Sequence, residues 1–221
     1  MTTLNIGVFM PNGAQLLDMA AVDLFGVMDK SYLEAVQAML PDEALWAVAP
    51  ITKFHYITTR AVGSHIQLTS GVSLKTTSFY DEETVAPGRL DVVVVPGPDP
   101  ASTYEQGALD WLRRHAETSG VDILSICTGL YVCAAAGVAD GKKASGPRTS
   151  QADLNSKFPN IKLVGDRYRW VQDGNFWSSG HVTNGNDMVA AYARASPRWE
   201  SPLVEFGLSV IGTGDRPQLY E

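Results

Sequence analysis

The chain has 221 residues, a length that suits one large domain with a substantial buried core. Its 45% hydrophobic and 19% charged residues are typical of a globular protein, and a formal net charge of -7 argues against a nucleic-acid or anionic-membrane surface. Two cysteines are too few for a disulfide framework, and neither a leader-like segment nor an apolar run of roughly 20 residues is visible. We therefore expect a single cytoplasmic domain over residues 1–221, with a small molecule as its partner.

Apolar periodicity predicts the elements of the first half of the chain. They are a strand (4–10), a turn (11–13), a helix (16–25), a surface insertion with a short helix (28–42), a second strand (43–50) and short β segments (51–80). Asp18 lies near the start of the first helix. A carboxylate there either caps backbone donors or points at a catalytic group, and both interpretations stay open.

The second half alternates strands with helices. The predicted elements are a strand (90–95), an amphipathic helix around Trp111, a strand (121–126), a helix from Thr128, a helix (149–158), a hairpin (168–177) and two helices (183–195 and 202–211). Strands joined by crossover helices predict a parallel sheet that is covered on both faces.

Cys127 lies between the apolar strand 121–126 and the helix that follows it. This placement resembles a nucleophile elbow, where the helix dipole favours a thiolate and the N–H of the next residue, Thr128, faces a developing oxyanion. The alternative is that Cys127 is an ordinary core residue. Cys133 lies inside the apolar helix, which favours a structural role.

A rigid loop over residues 96–100 follows the clearest strand, at the sheet edge where ligands bind in parallel folds. Gly97 is the candidate for the second oxyanion donor, because its backbone can approach a substrate closely. The alternative is that Gly97 only makes a turn. Pro98 in this loop and Gly129 beside the elbow are candidates for substrate contact.

Four stretches together are informative: LLDMAAVDLF, DVVVVPGPDP, SICTGLYVCAAAG and DGNFWSSGHVTNGNDMVAAYA. The chain resembles the ThiJ/PfpI superfamily, which is class I glutamine amidotransferase-like, and is most similar to its isocyanide hydratase branch. The resemblance implies a flavodoxin-like α/β sandwich, a homodimer, and Cys127 as nucleophile with the Asp18 carboxyl hydrogen-bonded to its sulfur. We expect no cofactor, and His55, His65 and His115 lack the spacing of a metal site.

The resemblance implies attack of the Cys127 thiolate on an isocyanide carbon, with Asp18 as proton donor and an N-substituted formamide as product. Many relatives carry a histidine where this chain has Pro147, so a cysteine–histidine dyad cannot form there. His181 is a candidate surrogate and substrate contact, or else a structural histidine. Glyoxalase or deglycase chemistry and a cysteine redox sensor are the alternative functions.

Overall fold

A seven-stranded sheet forms the centre of the structure, a computed structural model that describes residues 2–40, 42 and 44–220. The strands are β1 (Thr3–Phe9), β2 (Ile51–Thr58), β3 (His65–Gln67), β4 (Ser73–Lys75), β5 (Ser78–Phe79), β6 (Val92–Val95), β7 (Asp122–Ile126), β8 (Lys143–Ala144), β9 (Lys162–Leu163), β10 (Trp170–Asp173) and β11 (Phe176–Ser179). The α-helices are α1 (Ala20–Val27), α2 (Lys30–Ala35), α3 (Ala44–Val48), α4 (Gln106–Glu117), α5 (Gly129–Ala135), α6 (Gln151–Lys157), α7 (Val182–Ala195) and α8 (Ser201–Ile211).

The strand order in the large sheet is β10-β11-β7-β6-β1-β2-β5. Every neighbouring pair is parallel except β10 and β11, which form an antiparallel hairpin. Strands β3 and β4 form a separate hairpin, and β8 and β9 form a short parallel pair. The mostly parallel sheet and the hairpin near its end confirm the predicted fold class.

Both faces of the central strands β6 and β7 are buried, and successive side chains of a strand point to opposite sides. In β6, Val92 and Val94 belong to a core that includes buried residues of α1, α7 and α8. Val93 and Val95 belong to a second core, with buried residues of α4, α5 and α6. A strand buried on both faces reads as a continuous apolar run, which is why the valines of β6 were visible in the sequence.

The predicted second strand over residues 43–50 is wrong. This segment contains helix α3, and Glu43 lies outside the described residues. Only one side of the helix is buried, through Leu45, whereas Val48 is exposed. Strand β2 instead begins at Ile51, which pairs with the first residue of β1. A short apolar run does not by itself distinguish a helix from a strand.

The segment 28–42 contains α2 and a short 3-10 helix, as the sequence predicts, although Pro41 lies outside the described residues. It is not a detached excursion, because Met28 and Leu33 are fully buried in the core. That it is an insertion stays a prediction.

The order in which the chain adds strands to the sheet reverses between β1 and β6. The chain leaves β1 for β2 and β5 on one side and then crosses to β6 on the other side of β1. In an open parallel sheet this arrangement leaves a crevice at the carboxyl ends of the two strands, which is where ligands bind. The loops that follow β1, β6 and β7 therefore meet at one edge.

Gly129, the first residue of α5, tests how tightly this edge is packed. A Cβ at this position would lie 2.1 Å from the carbonyl oxygen of Val95, so backbone at the end of β6 would have to move. We expect Gly129→Ala to lower the free energy of unfolding by about 3 kcal/mol. Gly26→Ala in α1 is the matched control, since a Cβ there meets nothing within 4 Å, and it should stabilise by up to about 1 kcal/mol. Equal urea midpoints for the two variants would contradict this packing.

Candidate active site

Cys127 lies at a strand-to-helix turn of the kind that the sequence predicts. It follows β7 directly, and its φ of 55° is in the left-handed region that few residues other than glycine adopt. Its N–H donates to the carbonyl oxygen of Ser179 at 3.1 Å, which holds the turn against the end of β11. A strained backbone of this kind costs on the order of 1 kcal/mol and persists where the surroundings fix it. The half-buried thiol is thereby presented at the sheet edge.

Gly97, in the loop after β6, lies directly against the elbow. A Cβ on Gly97 would lie 2.3 Å from Thr128 Oγ1 and 2.9 Å from Thr128 N, so a larger residue does not fit. The Thr128 hydroxyl donates to the carbonyl oxygen of Pro98 at 2.7 Å. The missing side chain of Gly97 therefore lets two loops touch, and the glycine does more than make a turn.

Asp18 reaches the same place from the loop after β1. Its side chain is fully buried, and Oδ2 accepts a hydrogen bond from the Gly97 N–H at 2.7 Å. The helix-cap interpretation is wrong, because the side chain caps neither the 3-10 helix Leu16–Met19 nor α1. The other oxygen, Oδ1, is buried and has no hydrogen-bond partner among the described residues.

This contact corrects two expectations from the sequence. The Gly97 N–H is engaged by Asp18 in this structure, so it is not open to an oxyanion as the second donor. The expected hydrogen bond between the Asp18 carboxyl and the Cys127 sulfur is not among the contacts that the described residues make with Asp18. The sequence could place the three residues at one edge but could not show which pairs bond.

Burial raises the pKa of Asp18 to about 7, and the hydrogen bond from Gly97 offsets only part of that effect. An ionised carboxylate loses its hydration in the interior, and here one of its oxygens also gains no new donor. Asp18 can therefore both accept and donate a proton under physiological conditions.

The pKa of Cys127 moves in the opposite direction from the one expected at an elbow. Burial and, secondarily, the charge of Asp18 raise it to about 11, and hydrogen bonds from Thr128 lower it by less. Burial also raises the pKa of Cys133 to about 12, and that side chain is fully buried in α5. At neutral pH the Cys127 side chain is thus a thiol, and it needs a base to become a nucleophile.

A pocket of about 760 Å³ opens beside the thiol. It is lined by residues 12–15 after β1, by part of the segment 61–69, by residues 97–100 after β6, and by Cys127 and Thr128. Among the described residues that line it, Asp99 is the one Asp, Glu, Lys or Arg, and it is exposed. The pocket therefore suits an uncharged small molecule.

Three residues predicted to contact substrate have different outcomes. Pro98 lines the pocket, whereas Gly129 packs against Val95 and His181 does not appear in the lining. His181 precedes α7, where burial and the nearby charge of Arg148 lower its pKa. Its role as a surrogate for the histidine that Pro147 replaces stays a prediction.

Sequence reasoning missed the wall formed by the β3–β4 hairpin. His65, Gln67 and Thr69 line the pocket. The hairpin is joined to the loop after β1, since the Ala14 N–H donates to the Gln67 carbonyl and the Thr69 N–H donates to the Ala14 carbonyl. The segment carries no motif, and its weak alternating pattern shows a β structure but not where it packs.

Two further classes of site find no support in the part of the chain that the structure describes. No group of three or more His, Cys, Asp or Glu side chains is arranged to hold a metal ion there. No helix in that part combines the length and the apolar character needed to cross a bilayer.

The pKa of Asp18 makes a prediction about stability. Its ordinary value is 3.8 and its value in the folded protein is about 7, so folding favours the protonated form. The stability that the neutral carboxyl contributes is complete below pH 3.8 and is lost as the pH rises through about 7. Relative to Asp18→Asn, the wild type should lose about 4 kcal/mol of unfolding free energy over this range. Urea unfolding of both proteins from pH 4 to 8 checks this, and parallel curves would contradict it.

Comparisons with known proteins agree with this architecture. The chain is 32% identical over 128 residues to the isonitrile hydratase of Pseudomonas putida, an alignment that covers 57% of this chain and 52% of that protein. The chain thus spans about half the length of the curated relative it matches.

Solved structures show the same fold. Drosophila melanogaster DJ-1beta superposes with a TM-score of 0.70 at 19% identity, over 96% of this chain and 99% of that chain. A ThiJ/PfpI family protein from Pseudomonas syringae gives a TM-score of 0.70 at 16% identity, over 98% of this chain and 78% of that chain. The profile of the DJ-1/PfpI family matches residues 29–195, a range that holds Gly97 and Cys127 but not Asp18. The chain belongs to the DJ-1/PfpI family.

Proposed function

We propose that this protein is a cysteine-dependent enzyme that hydrates isocyanides to N-substituted formamides. The observation that carries the proposal is a fully buried carboxyl, Asp18, whose pKa lies at about 7 and whose charge acts on the Cys127 thiol. The isonitrile hydratase of Pseudomonas putida, 32% identical over 128 residues, supports the choice of substrate. The uncharged character of most of the pocket supports it as well.

The first half of the reaction adds the thiol across the isocyanide carbon. Asp18, as carboxylate, accepts the proton of the Cys127 thiol, the sulfur attacks the terminal carbon, and Asp18 returns the proton to that carbon. No proton from outside is needed, and the product is a thioformimidate on Cys127. Because Asp18 and the sulfur are not directly hydrogen-bonded, we assign the transfer to one intervening water.

The second half releases the product. Water forms a bond to the carbon, and one of its protons goes to the substrate nitrogen. The carbon–sulfur bond then breaks as the hydroxyl becomes a carbonyl, and its proton returns to the sulfur. One isocyanide and one water have then become one formamide, and Cys127 is again a thiol.

The alternative functions have less support. Glyoxalase or deglycase chemistry of the histidine-assisted kind lacks its histidine at Pro147, and His181 lies outside the pocket lining. A redox sensor works through an easily oxidised thiolate. Burial raises the pKa of Cys127 to about 11, which keeps the sulfur protonated and slows that oxidation.

The central prediction concerns the two cysteines. Wild-type protein should convert a panel of aliphatic and aromatic isocyanides to formamides, measured by chromatography, and Cys127→Ser should abolish turnover. Cys133→Ala is the matched control and should keep turnover, since that thiol is buried in α5 away from the pocket lining. Absence of formamide from the wild type with every isocyanide would overturn the proposal.

Asp18 gives a second prediction. Asp18→Asn retains an oxygen for the Gly97 N–H but cannot accept the thiol proton, so turnover should fall by roughly 10² to 10⁴. In the wild type, kcat/KM should rise with pH through about 7, because the carboxylate is the form that accepts the proton. Asp18→Asn should lose this rise. Wild-type turnover in the variant would remove Asp18 from the mechanism.

The homodimer expected from the resemblance stays a prediction. Sedimentation at micromolar concentration should give a species of about twice the chain mass of 23.9 kDa. A single species at the chain mass would contradict it.

A further inference from the structure

The donors nearest Cys127 are already engaged. The Gly97 N–H donates to Asp18, and the Thr128 hydroxyl donates to the Pro98 carbonyl. The backbone N–H of Thr128 acts on the Cys127 sulfur, where it lowers the pKa. A covalent intermediate on Cys127 therefore lacks an evident donor for its own nitrogen.

Gln15 lines the same pocket, and its backbone is fixed on both sides. Its N–H donates to the Gly97 carbonyl at 2.8 Å, and its carbonyl accepts from the Asp18 N–H at 3.1 Å. The next residue, Leu16, donates its N–H to Thr69 Oγ1 at 2.8 Å. Gln15 is thus held between the loop of Gly97 and the hairpin wall, three residues before Asp18.

Gln15 is a half-buried residue, and its side-chain amide makes no hydrogen bond with the described residues. The other polar side chains of the lining differ from it. The Gln67 amide donates to Ser73 at 3.2 Å, and His65 Nδ1 bonds to Ser64 at 3.0 Å. Asn12 is exposed. Gln15 therefore supplies an N–H donor that lines the pocket and has no partner among the described residues.

We propose that the side-chain amide of Gln15 donates a hydrogen bond to the substrate nitrogen during the second half of the reaction. This inference rests on the proposed isocyanide hydration. An isocyanide nitrogen has no free lone pair, but a thioformimidate nitrogen has one. That nitrogen gains negative charge when water adds to the carbon and the π pair of the C=N bond moves onto it. The contact then strengthens after the covalent step, as a catalytic interaction must.

Gln15→Met tests this role, because methionine keeps the length of the side chain but has no N–H donor. Removing one such donor should lower kcat by roughly 10² to 10³. Since Asp18 and Cys127 are unchanged, the first half should continue and the thioformimidate should accumulate. Intact-protein mass spectrometry should then show a Cys127 adduct whose added mass equals that of the isocyanide.

Gln106→Met is the matched control, because this exposed glutamine of α4 bonds to Asp110 and lies outside the pocket lining. It should keep kcat near the wild-type value and show no adduct at steady state. Wild-type kcat in Gln15→Met, or a loss of kcat without an adduct, would overturn the inference while the proposed hydration stands. Absence of turnover in the wild type would instead overturn the hydration itself, and the inference with it.

A second variant tests the same role if Gln15→Met does not fold. Gln15→Glu keeps the shape and the backbone contacts, and its carboxylate has no proton to donate at pH 8. It should accumulate the same adduct, with circular dichroism and the rate of Cys127 alkylation as controls for the fold. Wild-type kcat at pH 8 in this variant would also overturn the assignment.

Discussion

The buried hydrogen bond from the Gly97 N–H to Asp18 Oδ2 is the interaction on which the site depends. It joins the loop after β1 to the loop after β6, at the point where the strand order of the sheet reverses. Gly97 also touches Thr128, so the same contact positions the elbow relative to the carboxyl. Because both partners are buried, breaking the bond would leave a donor and a carboxyl unsatisfied in the interior. The three loops are therefore held together as one unit.

This arrangement also determines the protonation states of Asp18 and Cys127. Burial keeps the pKa of Asp18 at about 7. Burial, together with the charge of Asp18, raises the pKa of Cys127 and keeps its sulfur protonated. A site of this kind differs from one that stores a thiolate at a helix terminus. In the proposed hydration, the nucleophile forms only when Asp18 accepts the thiol proton, and the isocyanide carbon then takes up that proton. A resting thiol would also be oxidised more slowly than a thiolate.

The sequence was a good guide to the sheet and to the residues at its edge. Strands buried on both faces appear as apolar runs, and the carboxyl ends of parallel strands converge, so Asp18, Gly97 and Cys127 could be placed together. Their bonding could not be predicted. Whether the Gly97 N–H faces a substrate or Asp18 depends on distances of a few tenths of an ångström between residues 79 positions apart.

A residue's place in a recognisable motif does not show whether it lines the pocket. His181 lies in a recognisable stretch and is therefore a predicted contact, yet the pocket lining does not include it. Gln15 and the hairpin wall carry no such signal, because glutamines and short alternating strands are common. The sequence does not distinguish helix α3 from a strand, because five residues contain too little periodicity.

In the proposed reaction, the reacting groups and the rest of the pocket wall reside on different elements of this fold. Asp18, Gly97 and Cys127 are held by the ends of three neighbouring central strands, where any shift would meet close-packed backbone. The opposite wall comes from a two-stranded hairpin outside the main sheet, joined to the loop after β1 through Ala14. Substitutions in that hairpin can reshape the pocket without moving the reacting groups. Gln15 lies at the junction of the two parts, because its N–H bonds to Gly97 and the next residue bonds to Thr69, so the proposed donor would couple the hairpin wall to the reacting groups.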